Sequence, residues 1–172
     1  MTHHQPSETQ RLIGMKVDAA YRTGLLVVVV VMMSIVGYVG AGAIISSKGG
    51  VSDAMSVRVP VYVAALFIAL GSIALRRSQM RWLRLSAIAE VRGAEGLIKH
   101  LLNTTIILAV LAEVIGLLGL VLCFSGGVMR DGLIMGVVAF LIVLPVFPRR
   151  RVWEKAVADL APAIPESETD KA

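Results

Sequence analysis

The chain has 172 residues, of which 56% are hydrophobic and only 17% charged, with a formal charge of +5. A soluble globular domain usually carries about 25% charged residues spread over its surface. Here they are crowded into short segments, which excludes a soluble enzyme with a large core and predicts an all-α polytopic membrane protein, a bundle of four transmembrane helices.

Residues 1–22 read as a cytoplasmic N-terminal tail. Residues 1–10 are polar and expected to be disordered, and Gln10 to Arg22 fits a short basic amphipathic helix with Leu12, Ile13, Met15 and Val17 toward lipid. The transmembrane domain covers 23–148. Its first span is the uncharged run 23–47, longer than the apolar region of a signal peptide and therefore expected to be retained. Within it, the valines at 27–31 are expected to face lipid all round. Ser34, Gly37, Gly40, Ala41, Gly42 and Ala43 form a small-residue cluster suited to tight helix crossing, with Gly37, Gly40 and Ala41 as the packing candidates.

The second span, 59–75, lies between Arg58 and Arg76, and Pro60 stands at its start, where a proline costs no internal hydrogen bond. At ~1.5 Å per residue its seventeen residues reach roughly 25 Å, so the flanking arginines must snorkel to match a hydrocarbon core of about 30 Å. The connection 76–100 is basic and proline-free, with Leu83, Ile88, Val91, Leu97 and Ile98 among charged residues. Two readings are open for it: helices continuing beyond the membrane with a bend near Gly93 or Gly96, or a helix in the interface with Trp82 at headgroup depth.

The third apolar run extends from Leu101 to Met129, with the span placed over 101–126, and it holds a single charge, Glu113. The fourth span, 132–148, lies between Asp131 and Arg149, and Pro145 is a candidate kink. Residues 149–172 read as a second cytoplasmic tail, with helical turns over 151–160 and a disordered end from Ala161.

Orientation follows from the basic residues. Fourteen of the seventeen Lys and Arg lie in the two tails and the 76–100 connection; only Lys48, Arg58 and Arg130 lie on the other side. Both termini are therefore expected to be cytoplasmic, in the plasma (inner) membrane. These positions also account for the positive charge through anionic lipid, so no nucleic-acid partner is implied. The single cysteine, Cys123, leaves no disulfide framework and no thiolate metal cluster, and no metal or cofactor is expected.

Glu113 lies near the middle of the third span. A carboxyl in hydrocarbon is costly unless it is neutral, paired or facing water, which makes it a functional-site hypothesis by default. At about 100° per residue, Thr105, Ala109, Ala112, Glu113, Gly116 and Gly119 share one side of the helix. Ile107, Leu111, Val114, Leu118 and Leu122 fall broadly on the other. The acid thus stands on a packing surface, with Thr105 as the nearby polar candidate. The structural alternative is a carboxyl satisfied by a neighbouring helix through Ser34, Tyr38, Tyr62 or Ser72. No Lys or Arg lies at that depth, so a salt bridge there would need a second protein.

The stretch from Asn103 to Phe124, with Thr104 and Thr105 ahead of Glu113 and Gly119-Leu120-Val121 after it, resembles the carboxylate-bearing helix of the rotary ATP synthase c subunit, or proteolipid. The resemblance implies that spans two and three form the proteolipid-like hairpin. It further implies that Glu113 exchanges protons or sodium ions within an oligomer, working against a neighbouring subunit. Span two has one glycine, Gly71, where that family's partner helix is Gly-rich, and the glycines gather instead in span one. The alternative is a non-catalytic structural or assembly subunit of a larger membrane complex, with Glu113 as a packing or partner-binding residue. An independent transporter of the small-multidrug type is a third reading. Either way the expected partners are membrane lipid and further copies or other subunits; no nucleophile–base pair is visible.

Overall fold

The computed structural model describes residues 8–47, 55–125, 128–148 and 150–160, with side chains at 8–10, 55, 56, 82 and 160 outside the description. Five α-helices and one 3₁₀ turn account for them: α1 Glu8–Ser46, α2 Met55–Gln79, α3 Trp82–Phe124, α4 Met129–Val143, the turn Leu144–Val146, and α5 Arg150–Leu160. Four of the helices are long and apolar enough to cross a membrane, so the chain is a four-span all-α membrane protein. Of residues 1–10, expected to be disordered, 8–10 instead form the first residues of α1 and 1–7 lie outside the described residues, as does the expected disordered end from Ala161.

The central element is α3, which packs against α1, α2, α4 and α5. Lipid tails are as apolar as leucine, so association within a bilayer depends on close fit more than on burial from water. The fit is made by Val28, Val31 and Ile35 of α1, Leu108, Ala112, Ile115 and Leu122 of α3, and Met135, Ala139 and Val143 of α4. Leu26 and Met33 on α1, Phe67 on α2 and Leu141 on α4 point outward as a lipid-facing surface would.

Three local expectations are corrected. The valine run does not face outward all round: Val28 and Val31 are buried, whereas Val29 and Val30 are exposed, because α1 lies along α3. Leu122, read on the side of α3 opposite Glu113, is 1% exposed, since the central helix is covered on more than one side. Pro60 lies inside α2, which begins at Met55, so it does remove an intrahelical bond. Pro145 ends α4 as a regular helix, and the chain tightens there into the 3₁₀ turn.

At the basic end the helices continue beyond the apolar zone. The first span and the amphipathic segment before it are one continuous α1. The break in α3 falls at Gly93, with φ 64° and ψ −170°, a conformation that essentially only glycine adopts. The connection is therefore helical on both sides of a turn at Met80 and Arg81 and bent at Gly93; the side chain of Trp82 lies outside the described residues. The bend brings Leu85 and Ala89 into a second core with Val17 and Ala20 of α1 and Trp153 and Val157 of α5. Exposed pairs surround it: Lys16 Nζ to Glu95 Oε2 at 3.2 Å, and Arg150 Nη2 to Asp18 Oδ1 at 3.8 Å. The hydrogen bond to Glu154 and its negative charge, helped by Asp18, push the Arg150 pKa up further, so this contact does not titrate through its cation.

A Cβ at Gly93 is strained whatever space surrounds it. Gly93→Ala is expected to destabilise the chain by about 1–3 kcal/mol. It should also release the 82–92 segment, read as faster amide exchange there with α1 and α4 unchanged. Exchange equal to that of the unaltered chain would contradict the hinge.

Candidate functional site

Glu113 and Tyr38 meet across the α1–α3 seam. The Tyr38 hydroxyl donates to Glu113 Oε1 at 3.0 Å, and both side chains are partly buried. Close backbone approach makes this contact possible. A Cβ at Gly116, one turn after Glu113 on α3, would stand 3.2 Å from both Ile35 Cγ1 and Tyr38 Cδ2. Ala109 and Ala112, on the same side of α3 by helical spacing, are fully buried. Small residues on α3 thus let α1 approach closely enough for the phenol to reach the carboxyl.

The other anticipated residues fall elsewhere. Thr105 is buried, but its Oγ1 donates to the Leu101 carbonyl at 2.9 Å. It stands about 12 Å along the helix from Glu113, and Thr104 likewise donates to the His100 carbonyl. Gly119 packs on α4, where its added Cβ would lie 2.7 Å from Met135 Cβ. Gly37 and Gly40 have no atom within 4 Å of an added Cβ, so neither makes a close contact within the described residues. Ala41 is half-buried; the close approach on α1 is made by Gly42, whose Cβ would stand 2.8 Å from Cys123 Sγ.

Of the other partners considered for Glu113, Tyr62 and Ser72 are engaged differently. Ser72 Oγ donates to the Ile68 carbonyl. Tyr62 donates to Asp131 Oδ1 at 3.0 Å, and Arg58 Nε lies 2.9 Å from Asp131 Oδ2. The Arg58–Asp131 contact is an ion pair whose N–H is not aligned for a hydrogen bond. These three residues tie the start of α2 to the start of α4 at the end opposite the basic one. Read from the sequence, Arg58 and Asp131 bounded spans and Arg58 entered the charge count, but the two were not paired. The signal was available in their opposite signs at an end with few charges.

Cys123 is the second feature missed. Its Sγ occupies the space between Gly42 of α1 and Gly132 of α4, where an added Cβ on Gly132 would be 2.5 Å away. The thiol is buried and fills a junction of three helices. Among the described residues, no three His, Cys, Asp or Glu side chains converge as metal ligands do.

What fold and site define together is a class: a multi-pass α-helical membrane protein with a tyrosine-bound carboxyl within its third apolar helix. Comparison with protein-family models, with curated proteins and with solved structures finds no match. The Glu113 carboxyl is held by a side chain of α1, which lies outside spans two and three.

Proposed function

We propose that this chain is an integral membrane subunit, c-subunit-like in one respect: Glu113 serves as a proton-exchanging carboxyl presented to a neighbouring subunit. The observation that carries this reading is the Tyr38–Glu113 contact at 3.0 Å, made between two apolar spans yet only partly buried. A hydroxyl beside a carboxyl can hold it while neutral in apolar surroundings. Its partial exposure leaves room for a neighbour's cation or water to take the proton and return it. Both termini and the 76–100 segment lie on the cytoplasmic side in this reading, as the distribution of basic residues favours.

A second reading, a non-catalytic structural or assembly subunit, is favoured by one observation: the carboxyl already has a partner in its own chain. The two are separated in native membranes by carbodiimide labelling of Glu113, proton flux and native assembly size. Exchange predicts that Glu113 is labelled and that Glu113→Gln lowers flux at least tenfold with assembly size intact. Unchanged flux overturns the exchange reading. Loss of assembly in Glu113→Gln establishes the structural one. Tyr38→Phe removes the interhelical bond and is expected to cost about 0.6–2 kcal/mol, read as a lowered unfolding midpoint in detergent.

A further inference from the structure

Between α2 and the end of α4, toward the basic end, lies a groove of about 580 Å³ that is open rather than enclosed. It is distant in sequence from the residues of the Glu113 contact. Ala69 and Ile73 line it from α2, Val138 and Leu141 from α4, and Pro145 from the 3₁₀ turn, with Arg76 and Arg77 at its basic end. We propose that this groove binds one anionic glycerophospholipid, its phosphate at Arg76 and Arg77 and an acyl chain laid between Ile73 and Leu141.

The groove exists for a local reason. Pro145 has no N–H to continue α4, and the chain tightens into the 3₁₀ turn at Leu144–Val146, ending the regular α4 wall. On the other wall, α2 buries only Ala65 and Ser72 among its described side chains, and it is the loosest of the four spans.

Charge selects the occupant. Arg76 and Arg77 are exposed and have no carboxylate within ion-pair distance among the described residues; the same holds for Arg81 in the turn that follows and Arg84 in the first turn of α3. No acidic side chain lines the groove. The two arginines also complement the carbonyl end of α2, yet an exposed helix end needs no apolar cleft beside it. Ala69 lies about 10 Å along α2 from Arg76, so an anion at the arginines and hydrocarbon below them belong to one molecule. A free phosphate would match the arginines and leave the apolar walls unused. The groove also lies at the basic end of the bundle, where anionic headgroups concentrate against Lys and Arg.

The test uses the full chain in mild detergent, titrated with phosphatidylglycerol or phosphatidylcholine and followed by native mass spectrometry. The expected result is one phosphatidylglycerol retained per chain at a concentration about tenfold below that needed for phosphatidylcholine. Arg76→Gln with Arg77→Gln should abolish the preference. Arg81→Gln with Arg84→Gln, which removes equal charge outside the groove, should leave it unchanged. Ala69→Phe fills the groove with every charge in place and should weaken retention of phosphatidylglycerol. A thermal midpoint measured for each variant separates lost binding from lost folding, and Ala69→Phe carries the test if the arginine variant unfolds. Equal retention of both lipids, equal loss in the two arginine pairs, no effect of Ala69→Phe, or displacement by inorganic phosphate would each overturn the proposal.

Discussion

Asp131→Ala is expected to lower stability by about 3 kcal/mol, because it leaves Arg58 with its charge and no counter-ion in a partly buried position. The Asp131 side chain is 14% exposed and that of Arg58 29%, so neither is free to hydrate fully where it stands. The change also strips the Tyr62 hydroxyl of its acceptor. Thermal unfolding in detergent, followed by helix content, measures the loss. The compensating experiment is more telling. Buried ion pairs are often replaceable by well-packed apolar groups at little cost, whereas half of a pair is not tolerated. The combined Arg58→Met, Tyr62→Phe and Asp131→Leu chain is therefore expected to regain most of what Asp131→Ala loses. If Asp131→Ala unfolds like the unaltered chain, the cluster is not holding α2 to α4.

Gly132→Ala is expected to reverse sign with the residue at position 123. In the unaltered chain its Cβ would lie 2.5 Å from Cys123 Sγ, and that thiol is already confined by Gly42 on the other side. Something must move, and overpacking of this kind costs about 1–3 kcal/mol. With Cys123→Ala in place the sulfur is gone, and the nearest remaining neighbour is the Gly119 carbonyl oxygen at 3.6 Å, an ordinary contact. The same substitution then gains the helix preference of alanine over glycine, about 0.8–1.0 kcal/mol. A double-mutant cycle on unfolding free energies should give a coupling of at least about 2 kcal/mol. Additive effects would show that the sulfur does not set the spacing of α1, α3 and α4.

Four spans, the helical character of the 76–100 connection and the turns of α5 were legible because each depends on local sequence: uninterrupted apolar length, freedom from proline, and charge at the ends. Whether the connection extends the spans or lies in the interface was left open. The Gly93 bend was legible as one of two positions; the backbone chose the glycine at which φ turns positive. Tyr38 stood among four partners considered for Glu113, since depth in the bilayer narrows the choice but does not select a helix. Gly37 and Gly40 show where such reasoning stops. Their spacing suits a close crossing as well as that of Gly42, yet only Gly42 is turned toward α3.

Sequence by itself determined that this chain is an all-α, four-span membrane protein with one carboxyl deep in its third span. Hydrophobic length and charge placement are properties of a segment and need no knowledge of its neighbours. Only the tertiary structure decided that α3 is the hub, that α1 rather than α2 supplies the hydroxyl for Glu113, and that Cys123 fills a gap left by glycines on two other helices. Those outcomes depend on the rotation of each helix about its own axis, and that rotation is set jointly by contacts between residues far apart in the chain.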